Sequence, residues 1–171
     1  VDSTDVKLDS SANKATLTLR ALSPNGLEVI RTYHFNRKEY LIEHEVMVVN
    51  RSGQTLQGSA GLHQSNLPFG KITKASNWLF RGPSMFGEAG LQKFKLKEFD
   101  DGPQTVQTNI DWVAYEGTYF MTGIIPADNS QSITMDAEEE LVTIDLQAAP
   151  ETLAPEATNA YKYKLFYGPK K

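Results

Sequence analysis

Apolar and polar residues alternate with a period of two along most of the chain, and turn-favouring residues break the alternation at short intervals. That pattern predicts antiparallel strands, not helices. From Thr16 to Leu22, Leu17 and Leu19 fall on one side. Asn25-Gly26 follows, a pair that tolerates positive φ and marks a hairpin. Leu27 to Phe35 sets Val29, Tyr33 and Phe35 on one face, and Asn36-Arg37-Lys38 turns the chain. Tyr40 to Val49 is a long strand with Tyr40, Ile42, His44, Val46 and Val48 together and Glu43 and Glu45 opposite. Asn50-Arg51-Ser52-Gly53 turns again and Leu56 to Gln64 returns, so these four runs predict an antiparallel meander.

Residues 65–90 lose the period. Leu67-Pro68-Phe69-Gly70, Arg81-Gly82-Pro83 and Gly87 predict a long ordered connection anchored by Trp78, Phe80 and Phe86. Leu91 to Phe99 alternates lysine with Phe and Leu, as an amphipathic edge strand would. Asp111 to Pro126 is the most apolar segment. Its second half, Tyr119 to Ile125, is apolar on both faces and predicts a covered central strand beyond the turn at Glu116-Gly117-Thr118. Ile133 to Asp136, Leu141 to Leu146 and Asn159 to Tyr167 complete the set. Ala137 to Glu140 is too short for a useful helix, and Pro150 and Pro155 break the next stretch. About ten short strands with regular turns imply an all-β antiparallel sandwich with few or short helices, and the 171 residues are expected to form one domain.

Composition narrows the function. Hydrophobic residues make up 40 % and charged residues 22 %, the balance of a globular protein, and the net charge of −4 argues against a nucleic-acid binder and, less strongly, against an anionic membrane surface as ligand. The absence of cysteine excludes disulfides, thiolate catalysis and cysteine-built zinc sites. No run reaches the roughly 18 apolar residues of a spanning helix, and Val1-Asp2-Ser3-Thr4-Asp5 lacks the basic and apolar regions of a signal peptide.

Candidate chemistry is sparse. His44 shares an apolar strand face and reads as a core histidine; His34 faces away from Val29, Tyr33 and Phe35; His63 closes a strand. No H-x-H or H-E-x-x-H pattern joins them. Asp136, Glu138, Glu139 and Glu140 lack the spacing of a calcium loop and read as a solvated turn. Neither a G-x-S-x-G elbow nor a phosphate-cradling glycine loop occurs. No catalytic residue, metal ligand or cofactor is therefore assigned. The stripe Tyr161, Tyr163, Leu165, Tyr167 reads first as the core face of a strand. For an interaction surface the favoured residues are Trp78, Phe80, Arg81 and Phe86, whose types dominate interface hot spots; core anchoring of the connection is the alternative.

Several stretches, in order, resemble the periplasmic domain of the YidC family. They are Leu27 to Phe35 with Tyr40-Leu41-Ile42 and Val46 to Asn50; Phe80-Arg81-Gly82 with Lys93-Phe94-Lys95; Trp112-Val113-Ala114 with Tyr119-Phe120 and Ile125-Pro126; and Leu165 to Lys170. The resemblance covers residues 26–171 and implies a β-supersandwich like that of galactose mutarotase. It implies a non-catalytic domain of a membrane protein insertase at the periplasmic face of the bacterial inner membrane, accessory to insertion and folding. Its expected partners are Sec translocon components and nascent membrane proteins. The family domain carries more chain before the Leu27 match, so its N-terminal part is expected to be missing here. A carbohydrate-binding or mutarotase-like domain is the alternative, with His34, His44, His63, Glu43 and Glu45 as its acid–base candidates. A structural spacer is a further one.

Overall fold

The computed structural model describes Leu8 and residues 12–70, 79–128 and 130–170. Strand pairing is almost all antiparallel, and among the described residues the one helical element is a 3-10 turn, Leu96–Phe99. This is the all-β architecture that the period-two pattern implies. The chain forms two compact units, Val1–Ser59 with Pro150–Leu165 and Ala60–Ala149 with Phe166–Lys171.

In the first unit β1 (Lys14–Leu22), β2 (Leu27–Asn36) and β3 (Leu41–Asn50) lie side by side. Ala21 pairs with Val29 and Val29 with Val48, so apolar side chains line up across three strands. The hairpin turn at Gly26 has φ +80°, where a side chain is disfavoured, and Gly26 N–H donates to Ser23 O at 3.0 Å. Beyond β3 the order differs from a four-strand meander. The next neighbour of β3 is β13 (Thr158–Pro169), and the run from Leu56 divides into β4 (Leu56–Gly58), which pairs with β12 (Glu151–Leu153), and β5 (Gly61–Asn66). Gln57, Gly58 and Ser59 offer no apolar face that would hold this run against β3.

Asn50 closes this unit. Its buried side chain donates to Gln54 O (2.8 Å) and Leu153 O (2.9 Å) and accepts from Ser52 N–H (2.9 Å) and Oγ–H (2.6 Å). Its backbone N–H donates to Ala157 O, and its carbonyl accepts from Glu156 N–H. His44 is buried on Val46's face and stacks on Tyr33 with ring centroids 4.1 Å apart. Because a carbonyl only accepts, His44 Nδ1–H donates to Thr32 O at 3.0 Å. Nε2 is then a bare, buried acceptor with no partner. Burial is the main force holding the imidazole below its ordinary value of 6.5, aided by the nearby Arg31 charge and opposed by the Thr32 hydrogen bond.

In the second unit β8 (Gln104–Glu116) is the organising strand. Residues up to Asn109 pair with β10 (Ser130–Glu138), which pairs with β11 (Leu141–Ala148), which pairs with β5. From Ile110 onward β8 instead pairs with β6 (Gly82–Gly87) and, from Val113, with β9 (Phe120–Pro126). Ile110, Val113, Ile124, Ile133, Met135, Val142, Ile144 and Leu146 are buried and form the core. The expected connection over 65–90 thus contains a strand, β6, folded back as a hairpin onto β7 (Gly90–Lys93). Pro83 and Met85 are buried opposite Tyr115 and Val113, a pairing no local pattern announces. The expected edge strand Leu91 to Phe99 stops at Lys93 and becomes the 3-10 turn, which buries Phe99 and leaves Lys97 in solvent.

Candidate interaction surface

Four residues were favoured from sequence. Trp78 lies outside the described residues. Phe80 and Arg81 lie just before β6, and Phe86 lies near its far end. The register Gly82↔Glu116 and Phe86↔Trp112 separates Phe80 and Arg81 from Phe86 by most of the strand. Phe86 is 40 % exposed and stacks on Trp112 at 6.2 Å and 18°. This aromatic pair joins β6 to β8 with Phe86 partly open to solvent, the form of an interface anchor. Phe80 and Arg81 are each half-buried. Lys93 Nζ sits 4.6 Å above the Phe80 ring, a cation–π contact.

The same Lys93 leads to a buried carboxylate. Glu116, at the end of β8, is 6 % exposed; Lys93 Nζ lies 3.6 Å from Oε1 and Lys170 Nζ 2.6 Å from Oε2. Lys170 Nζ also donates to Gly117 O (3.2 Å), and its backbone N–H to Tyr119 O (2.8 Å). Burial pushes the Glu116 carboxyl up, but the Lys170 hydrogen bond and the charges of Lys170 and Lys93 outweigh it and hold the group below its ordinary value. Ser84 Oγ, buried nearby, has no hydrogen bond of acceptable geometry, so the lowering is assigned to the lysines.

Beyond Glu116 the β8–β9 turn carries an aromatic cluster. Phe69 lies 5.7 Å from Tyr115 and 6.4 Å from Phe120. Its ring covers Gly117 so closely that a Cβ there would collide with it, and this close approach explains the glycine. Gly117 N–H donates to Phe120 O at 2.8 Å and closes the turn. Phe69, Tyr119 and Phe120 are 46, 68 and 50 % exposed. The arrangement is therefore a pinned turn with projecting aromatics beside an internal ion pair. Sequence reasoning placed Glu116-Gly117-Thr118 in a turn but missed the role of Glu116; the available signal was a carboxylate in the middle of the most apolar segment.

The remaining candidates separate. In the first unit His34 is exposed, shares a 2.9 Å hydrogen bond with Thr16 Oγ1 and faces Glu43 across the β2–β3 pair, whereas His44 is buried. In the second unit His63 Nδ1 contacts Asp145 Oδ1 at 2.7 Å and Nε2 contacts Ser65 Oγ at 2.8 Å. The order of contacts is that of a catalytic triad, but His63 and Asp145 are 56 and 40 % exposed on a strand surface, where water competes for every bond. We read it as a cross-strand polar network. Glu138, Glu139 and Glu140 are exposed around the β10–β11 turn, and among the described residues no group of His, Asp or Glu could hold a metal ion. Tyr163 and Leu165 of the terminal stripe are buried, Tyr161 is half-buried and Tyr167 exposed.

The model of the YidC periplasmic domain matches residues 1–171. The membrane protein insertase YidC of Geotalea uraniireducens is 28 % identical over 159 residues, covering 92 % of this chain and 30 % of that protein. That of Laribacter hongkongensis is 30 % identical over 146 residues, covering 80 % and 26 %. The chain spans about 30 % of the length of the curated relatives it matches. Among solved structures, a galactose mutarotase related enzyme from Lactobacillus acidophilus has a TM-score of 0.61 at 13 % identity, covering 93 % of this chain and 69 % of that one. A GH36 alpha-galactosidase from Geobacillus stearothermophilus has a TM-score of 0.67 at 10 % identity, covering 95 % and 25 %. At such identity these two likenesses concern the mutarotase-like sandwich fold and carry no activity.

Proposed function

The chain belongs to the YidC periplasmic domain family, and from that premise we propose that it is a non-catalytic docking module of a membrane protein insertase, facing the periplasm at the inner membrane. In this reading it supports insertion by holding Sec translocon components or nascent membrane proteins near the membrane-embedded part of the protein. The observation that carries the proposal is the family match across residues 1–171. The surface supports it. Phe86, stacked on Trp112, is an aromatic anchor on strand scaffolding, and Phe80, under Lys93, lies with Arg81 just before that strand. Such groups bind through burial and need no reactive centre. The sugar-active alternative gains nothing from His44, whose imidazole is sealed beneath Tyr33.

The test is photocrosslinking in intact membranes from full-length protein carrying a photoreactive phenylalanine analogue at position 80 or 86. Adducts with Sec subunits or nascent membrane proteins are expected from position 86, and weaker ones from the half-buried position 80. Absence of polypeptide adducts from both positions, with the protein folded and present in the membrane, would overturn the proposal.

A further inference from the structure

We infer that the β8–β9 turn, through Phe69, Tyr119 and Phe120, is a contact for the interfacial layer of an uncharged lipid bilayer. The inference rests on the docking-module reading and adds a second surface to it, with a different partner.

The first argument is exposure. Monomeric proteins leave single apolar side chains in water routinely, but adjacent large ones mark an interaction site. Here Phe69 and Phe120 touch, and Tyr119 stands largely in solvent beside them. Leu67, two residues before Phe69, is exposed as well. Shape and residue type point to a lipid boundary. Protein hot spots sit in packed pockets that exclude water, whereas Tyr119 and Phe120, at the end of the turn, and Phe69, packed against it, are open to solvent. Tyr and Phe on a projecting turn suit a soft boundary where the ring enters the acyl region and the phenol stays among headgroups.

Charge selects the kind of bilayer. Anionic lipid recognition uses clustered, available lysine and arginine. The ammonium of Lys170 is instead turned inward to Glu116 and Gly117 O, and that of Lys93 lies between Glu116 and the Phe80 ring. The chain as a whole carries −4. Among the described residues the two ammonium groups beside the turn are thus engaged, and the attraction it offers is apolar. Preorganisation completes the case. The Gly117–Phe120 and Lys170–Tyr119 backbone hydrogen bonds fix the turn, and Gly117 lets the Phe69 ring approach it closely. The patch meets the bilayer with little ordering left to do.

The test uses the 171-residue chain with phosphatidylcholine vesicles. Co-sedimentation is expected for the unaltered chain, and Tyr119→Ser with Phe120→Ser should lower the vesicle partition coefficient roughly tenfold, since binding scales with the apolar area inserted. Leu22→Ser, which removes an equally exposed side chain in the first unit, should leave it unchanged. Near-ultraviolet circular dichroism checks the fold of each variant. Should the double variant fail to fold, Tyr119→Trp reads insertion directly, as quenching by brominated lipid beyond that of the unaltered chain. The inference is overturned if the unaltered chain stays free of zwitterionic vesicles, if both serine substitutions leave partitioning unchanged, or if Tyr119→Trp adds no quenching. Binding confined to anionic vesicles would also overturn it, as would crosslinks from position 119 of the full-length protein that go to polypeptide instead of lipid. The docking proposal falls separately, on the adducts from positions 80 and 86.

Discussion

Replacing Glu116 by alanine removes the carboxylate on which two lysines converge. Deleting one partner of a fully buried ion pair costs about 3–5 kcal/mol, because the other charge is stranded. Here the side chain of Glu116 is 8 % exposed, but those of Lys170 and Lys93 are 26 % and 40 % exposed and can turn toward water. The expected loss is accordingly smaller, roughly 2–3 kcal/mol. For a chain of this length each kcal/mol lowers the melting temperature by about 2–4 °C, so a fall of about 4–12 °C is expected. Glu116→Gln keeps the shape and an acceptor for Lys170 and should lose about half as much. Equilibrium urea unfolding followed by tryptophan fluorescence measures both. The pH dependence gives an independent check. The Glu116 carboxyl is held below its ordinary 4.5 in the folded state. Between the two values the unfolded chain binds more protons, so the contribution is full above pH 4.5 and fades as pH falls through the lower, folded value. Glu116→Gln should flatten that limb. An alanine variant within about 0.5 kcal/mol of the unaltered protein would refute the view that this carboxylate fastens the chain around Lys170.

Other outcomes follow from the same geometry. His44 is held below 6.5, so stability should be full above that pH and decline as pH falls from 6.5 toward the folded value; His44→Phe should remove this limb in melting scans between pH 7 and 4.5. Asn50→Ala leaves Gln54 O and Leu153 O without its amide and should cost about 2–4 kcal/mol by urea titration. Gly117→Ala forces the Phe69 ring off the turn and should cost roughly 1–3 kcal/mol, with a shift of the Phe69 ring resonances in NMR spectra.

Legibility in the sequence followed the range of the forces involved. Period-two burial is local, so β1, β2, β3, β9, β11 and β13 could be read within a residue or two, and Asn25-Gly26 announced its hairpin through backbone sterics alone. Pairing partners are not local. Leu56 to Gln64 looked like a fourth meander strand because nothing in its residues encodes that β4 meets β12 and β5 meets β11. Strand β6 was hidden by Gly82, Pro83 and Gly87, which read as breakers until β8 is alongside to pair with. Residue type brought Phe80 and Phe86 forward as interface residues, but only the β6–β8 register places them apart. Glu116 and Lys170 lie 54 positions apart in the chain, and their meeting is a tertiary fact.

The central claim is that exposed aromatics on a strand scaffold bind a protein partner without chemistry. It is tested most directly by titrating purified Sec translocon against the full-length protein in detergent, with and without Phe86→Ser. Loss of a hot-spot aromatic should weaken the dissociation constant at least about tenfold, equivalent to about 1.4 kcal/mol. An unchanged dissociation constant in a variant that folds normally, or no measurable binding by the unaltered protein, would contradict the account.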